Sequence, residues 1–278
     1  MEPLLYELHD MARERGVDGY RRMTKTELLE VVGGGHTGGP TTVERVVRGG
    51  LGLLTLRGGT PENTLALETL EELATAAEEL AADEAVRLVA ITGAGGRIFS
   101  AGADLSAIAG LSGAEVTERG SAALDRIEAV DVPTVAALYG HAVGGGIDLA
   151  LACDWRIAAE GARLRFIHNE LGYSPPWGAA GRIARLVSAP VALRLFATCA
   201  LVSMQEARGM GLVDDLASPH RLLGRVEALL TRIERADRVA VMATKRLLRP
   251  DTPREAHSAA FAALWDARTA GTSSTLPE

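Results

Sequence analysis

Three consecutive glycines, Gly144, Gly145 and Gly146, stand directly before an apolar run of Ile147, Leu149, Ala150, Leu151 and Ala152, with the carboxylate of Asp148 set inside it. A glycine turn that opens a helix presents backbone N–H groups lacking an intrahelical acceptor, together with the positive end of the helix dipole. Glycine lets a ligand oxygen approach those amides closely, so the turn suits an anion or an oxygen that gains charge during a reaction. His168 and Glu170 follow, and Phe166, Tyr173 and Trp177 surround them in sequence, with Trp155 shortly before. A carboxylate, an imidazole and a glutamate near such a turn are groups that general acid–base chemistry uses. The plainer alternatives are a tight turn for the glycines, a first-turn carboxylate complementing the helix dipole for Asp148, and core packing for the aromatic rings.

These residues need a scaffold, and the hydrophobic pattern describes one. The run from Gly50 to Leu56 reads as a strand, and Leu65, Leu67, Leu70, Leu73, Ala77 and Leu80 recur at helical spacing between glutamates. VRLVAIT, from Val86 to Thr92, reads as a buried strand, and IFSAGADL ends a further strand in the small residues Ala101, Gly102 and Ala103. A helix over 113–130, a strand over 133–139, the glycine turn with its helix and a strand near Arg156 to Ala159 continue an alternation of β and α. Beyond residue 178 the pattern turns mainly helical, which suggests that the tail packs on neighbouring subunits as well as on its own core.

With 278 residues, 47% of them hydrophobic, the chain has material for one large domain and a small appendage. A net charge of -7 argues against a general polyanion binder. Cys153 and Cys199 are the only cysteines, both in apolar surroundings, so the sequence supplies neither a disulfide framework nor a zinc cluster and both read as buried thiols. No metal or redox cofactor site is recognisable. No apolar stretch has the length of a membrane span and the start MEPLLYELHD is acidic, so the expectation is a cytoplasmic protein.

Residues 1–32 read as a separate helical unit, and 33–45, rich in Gly, Thr and Pro, as a flexible linker. The segment LYELHDMARERGVDGYRRMTKTELLEVV resembles the small module at the N-terminus of the Rho transcription terminator and its SAP-like relatives. That resemblance implies an association with nucleic acid. Seven acids against five bases in this unit favour docking or oligomer contact instead.

IFSAGADL, then YGHAVGGGIDLALACD, then QEARGMGLVDDL resemble, in order and spacing, the crotonase or enoyl-CoA hydratase superfamily over roughly residues 46–270. The resemblance implies an α/β fold built as a spiral of ββα turns with a helical trimerisation region from about residue 200. It further implies an acyl-CoA thioester as ligand, a homotrimer or dimer of trimers, and an oxyanion hole made by the amides of Ala103 and Gly145. The two glutamates of family hydratases fall at Asp148 and His168, with Glu170 two residues beyond. LRFIHNELGYSPPWG is closer to the decarboxylating branch of ethylmalonyl-CoA decarboxylases, which implies loss of carbon dioxide from a 2-alkylmalonyl-CoA. In that reading His168 supplies the proton, Phe166, Tyr173 and Trp177 form the apolar wall, and Ala101, Asp104 and Lys245 contact CoA. The alternatives are hydration, isomerisation or thioester hydrolysis on the same fold, or a catalytically silent subunit recruited through residues 1–32.

Overall fold

A computed structural model of the protein describes residues 39–58, 62–249 and 252–271. The helical module expected over 1–32 lies outside these residues, as does the first part of the linker, residues 33–38. The described chain begins with a hairpin, β1 (Thr42–Arg48) and β2 (Leu51–Arg57), paired antiparallel with Val46 opposite Leu53. This corrects the reading of 33–45 as linker throughout. β1 is an edge strand that buries little, and its charged residues, Glu44, Arg45 and Arg48, obscure the alternation that marks a half-buried strand.

After the hairpin the chain repeats one plan. Helix α1 (Leu67–Ala82) is followed by β3 (Leu88–Gly93), β4 (Ile98–Ser100) and α2 (Gly113–Ala129), then by β5 (Thr134–Leu138), β6 (His141–Val143) and α3 (Gly145–Ala152), then by β7 (Trp155–Ala159), β8 (Arg163–Arg165) and α4 (Ala179–Ala184). Each turn gives its first strand to a six-stranded sheet and its second to a four-stranded one. The large sheet has the order β1-β2-β3-β5-β7-β10, with β10 at Asp215–Ala217, and is parallel except for β1. The small sheet runs β4-β6-β8-β9, with β9 at Leu201–Ser203 closing it antiparallel. This is the ββα spiral that the motifs imply.

The sequence follows its burial. β3 and β5 are covered on both faces and are buried along their whole length, as central parallel strands must be. Helix α1 buries Leu67, Leu70, Leu73, Ala77 and Leu80 and keeps its glutamates outward. There Glu68 and Glu71 pair with Arg119, and Glu78 with Arg126, both from α2. Every residue of α3 is buried, so its apolar character runs all round the helix.

The C-terminal part adds α5 (Ala189–Ala197), α6 (Met204–Met210), α7 (Leu222–Ile233), α8 (Arg238–Leu247) and α9 (Arg254–Gly271). β9 and β10, three residues each, interrupt the run expected to be mainly helical. Helix α8 has no buried residue and is tied to the core by charged side chains. Arg238 reaches the carbonyls of Val86 and Ala81 and Arg246 the carboxylate of Asp131. Among the described residues no helix is long and apolar enough to cross a membrane.

Candidate active site

The first element of the site is the segment after β4. Asn63 clamps the loop before it, donating to the carbonyls of Ala94 at 3.0 Å and Ile98 at 2.9 Å and accepting from the amide of Gly58. Leu65 then forms a parallel bridge to Ala103: its amide donates to Gly102 O at 2.8 Å and its carbonyl accepts from the amide of Asp104 at 2.9 Å. In such a bridge the middle residue turns its own N–H to the opposite side, so the Ala103 amide points away from Leu65.

The second element is the glycine turn. Gly144 has φ +51°, a conformation that side chains disfavour, and it makes the corner between β6 and α3. A Cβ on Gly102 would stand 2.8 Å from Gly145 N, and one on Gly145 would stand 3.2 Å from Ala103 N. The glycines thus let two backbones touch and bring the amides of Ala103 and Gly145 to one place. As the first residue of α3, Gly145 has an N–H without the i−4 acceptor of a helix interior. Two amide donors at that spot can stabilise an oxygen on which negative charge develops.

The third element is Asp148, one turn into α3 and fully buried, facing His168 with Oδ1 3.5 Å from Nε2. Both carboxylate oxygens and both imidazole nitrogens are buried and have no hydrogen-bond partner among the described residues. Such groups cost stability when left unpaired, and sites where they persist are where ligands are handled. His168 is held by rings instead: it lies 5.8 Å from Phe196 between centroids, and Phe196 in turn meets Phe166 edge-on at 5.2 Å. Phe196 sits on α5, outside every motif of the sequence, and only its aromatic type marked it.

The remaining site residues divide. Phe166 is buried beside this group. Trp177 is a core ring and not part of an open wall: it is fully buried, donates Nε1–H to Val116 O at 3.1 Å, and fills the space beside Gly120 and Gly145. Tyr173 is 61% exposed, on the surface turn that follows His168. Glu170 does not join Asp148 and His168; it is half exposed and bound to Arg165 at 2.5 Å.

The residues expected to contact CoA are engaged within the protein. Asp104 accepts from Ser106 Oγ at 2.6 Å and from the amides of Ser106 and Ala107, and Thr64 bonds its other oxygen; these bonds, that of the Ser106 hydroxyl first, hold its carboxyl below the usual range. The amide of Ala101 donates to Glu62 O at 2.8 Å. Lys245 is bound to Asp154 at 2.6 Å and to Val132 O at 3.0 Å, which assigns it to fixing α8 on the core. Cys153 is buried, and burial pushes its thiol up to about 12, whereas Cys199 is half-buried and not the buried thiol expected. Among the described residues no group of three or more His, Cys, Asp or Glu is placed to hold a metal ion.

Comparison with known proteins identifies the family. The chain is 37% identical to a crotonyl-CoA hydratase of Syntrophomonas wolfei over 66% of its own length and 72% of the relative's. It is 33% identical to a short-chain-enoyl-CoA hydratase of Clostridium acetobutylicum over 67% of its length and 72% of the relative's. Among solved structures, Pseudomonas aeruginosa DspI superposes with a TM-score of 0.77 at 28% identity, covering 82% of this chain and 90% of that one. An enoyl-CoA hydratase from Bacillus anthracis does so with a TM-score of 0.75 at 28% identity, covering 84% and 92%. The sequence model of the enoyl-CoA hydratase/isomerase family spans residues 47–268, from the hairpin to the last helix. With the spiral fold and the paired amides in place, the chain belongs to the enoyl-CoA hydratase/isomerase, or crotonase, family of acyl-CoA-processing enzymes.

Proposed function

We propose that the protein adds water across the double bond of a 2-enoyl-CoA thioester, with Asp148 and His168 acting as one acid–base pair. The observation that carries this reading is the close approach of the Gly145 and Ala103 backbones beside a buried carboxylate and imidazole that have no hydrogen-bond partner among the described residues. Relatives whose names describe enoyl-CoA hydratases support it.

In this mechanism the thioester oxygen accepts hydrogen bonds from the two amides. His168 takes a proton from water while the water oxygen bonds to C3, and the π electrons move through C2 onto the thioester oxygen. The amides stabilise that enolate more than the neutral carbonyl, a difference of ~3–4 kcal/mol for one such donor. Asp148 stabilises the imidazolium, which then gives its proton to C2 and restores the carbonyl.

A second reading, decarboxylation of a 2-alkylmalonyl-CoA, is favoured by the apolar setting of His168 against Phe196 and Phe166. There the C–C bond to the carboxylate breaks, its electrons form the same enolate, and the imidazolium protonates C2. Desolvation of the leaving carboxylate by these rings would assist the step.

Mass spectrometry of crotonyl-, methylmalonyl- and ethylmalonyl-CoA after incubation with the pure protein separates the two. Gain of water by crotonyl-CoA supports hydration, and loss of carbon dioxide from a malonyl thioester supports the second reading. Three unchanged thioesters would count against both. The assembly we propose is a homotrimer or dimer of trimers built through α8 and α9, whose apolar residues lie exposed in the single chain.

A further inference from the structure

We propose that Phe196 is the positioning residue of the acid–base pair, holding the His168 imidazole toward Asp148; this rests on the assignment of that pair above. His168 has no hydrogen bond from either nitrogen that would fix its ring, in a family site where a proton donor has to be aimed. What constrains the ring is contact. Phe196 stands 5.8 Å away at a tilt of 58°, and Phe196 is itself set by Phe166 at 5.2 Å and 89°, the edge-to-face geometry that aromatic pairs favour.

The backbone ties the three rings into one unit. The amide of Phe166 donates to Ala200 O and the amide of Ala200 donates to Leu195 O, so the end of α5 is fastened to the strand that leads into His168. At the glycine turn Ile167 Cγ2 lies 3.3 Å from where a Cβ on Gly144 would stand, and His168 Nε2 lies 3.9 Å from the same point. The imidazole therefore has the glycine turn and Asp148 close to its Nε2 and the Phe196 ring packed near it. In this proposal the Phe196 ring fills the space into which the imidazole would otherwise turn away from Asp148. α5 thus takes part in the site although none of its residues needs to touch the thioester.

The test is Phe196→Leu, which opens that space and keeps an apolar side chain, with Phe196→Tyr as the conservative variant that retains the ring. The imidazole resonances of 15N-histidine-labelled protein report the orientation directly, and the His168 signals are assigned by their loss in His168→Gln. The expected result is that Phe196→Leu displaces the His168 ring signals and leaves those of the other five histidines in place, while Phe196→Tyr keeps the wild-type spectrum. On the thioester that the wild type consumes, Phe196→Leu lowers kcat by ~10- to 100-fold with KM within about twofold, the scale of a misplaced catalytic group.

Unchanged His168 signals in a folded Phe196→Leu protein would overturn the proposal, as would an equal rise in KM with kcat intact. If Phe196→Leu does not fold, Phe196→Met replaces it with the same two expectations. If none of the three thioesters is consumed by the wild type, the functional reading fails, and the ring signals alone decide the role of Phe196.

Discussion

Asp148 Oδ1 and His168 Nε2 stand 3.5 Å apart, and the two side chains together carry four buried polar atoms without a hydrogen-bond partner among the described residues. A core replaces such groups with carbon, so their retention points to chemistry. His168→Ala should lower kcat by ~10²- to 10⁴-fold, as loss of a general acid–base group does. Asp148→Asn should act in the same direction, and on the proposed acid–base pairing the double variant should be no slower than His168→Ala alone, as residues that work as a unit behave. Losses that multiply in the double variant would mean that they act separately.

Trp177 joins two helices through glycines. A Cβ on Gly120 would stand 2.1 Å from its Nε1, and one on Gly145 would stand 2.4 Å from its Cζ3. Gly120→Ala should therefore destabilise the fold by ~1–3 kcal/mol through overpacking, read by denaturant unfolding. Gly145→Ala should cost stability on the same scale and also abolish turnover, since the new methyl displaces the ring or crowds Ala103 N. Combining Gly120→Ala with Trp177→Leu should recover part of the lost stability, and strict additivity would contradict this contact.

Lys245 is bonded to Asp154 and to Val132 O, and Asp154 also accepts from the amide and hydroxyl of Thr134. Lys245→Met should leave a part-buried carboxylate with one partner fewer and lower stability by ~1–3 kcal/mol. The KM for a CoA thioester should stay within about twofold. A large rise in KM with stability unchanged would return Lys245 to the CoA contacts that the sequence suggested.

Much of the scaffold was legible because its residues advertise their neighbours locally. The all-buried runs of β3 and β5, the amphipathic spacing of α1 and the small residues at 101–103 and 144–146 each fit one local structure. Those two small-residue stretches pack closely, so that a Cβ on Gly145 would stand 3.2 Å from Ala103 N. What the sequence could not convey is pairing across distance. Lys245 and Asp154 are 91 residues apart, and a lysine on a helix face reads as free until its partner is known. Glu170 lies closer in sequence to His168 than Asp148 does, yet Arg165 draws it outward. Trp177 and Tyr173, four positions apart, differ completely in burial, because only Trp177 has glycines opposite to receive it. Phe196 carries no motif, and its place beside His168 follows only from how α5 returns to the small sheet.

The C-terminal helices should loosen from the core in acid. Asp131 receives hydrogen bonds from Arg246, with Arg249 beside it, and chiefly the Arg246 bond holds its carboxyl below the usual carboxylate range. A carboxyl whose pKa is lowered by folding contributes its stabilisation above its unfolded pKa and loses it as the pH falls through the folded value. Asp131→Asn should therefore lower Tm at neutral pH, and the gap to the wild type should close as the pH drops below the carboxylate range. A gap independent of pH would assign the effect to packing rather than charge.

Phe261 and Trp265, one helical turn apart on α9, stack on each other at 5.8 Å while remaining 67% and 56% exposed. Val239 on α8 and Leu248 just past its end are uncovered too. Exposed apolar area of that kind favours association by about 25 cal/mol per Å² buried, and the proposed assembly would cover these rings. Light scattering should therefore give the wild type the mass of a trimer or a multiple of it, and Phe261→Ser with Trp265→Ser should shift the protein toward the monomer. Neither residue touches the spiral core in the way Leu70 or Trp177 does, so the separated subunit should keep its circular-dichroism spectrum. A monomeric wild type would refute assembly through these helices, and an unchanged mass in the double variant would move the interface elsewhere.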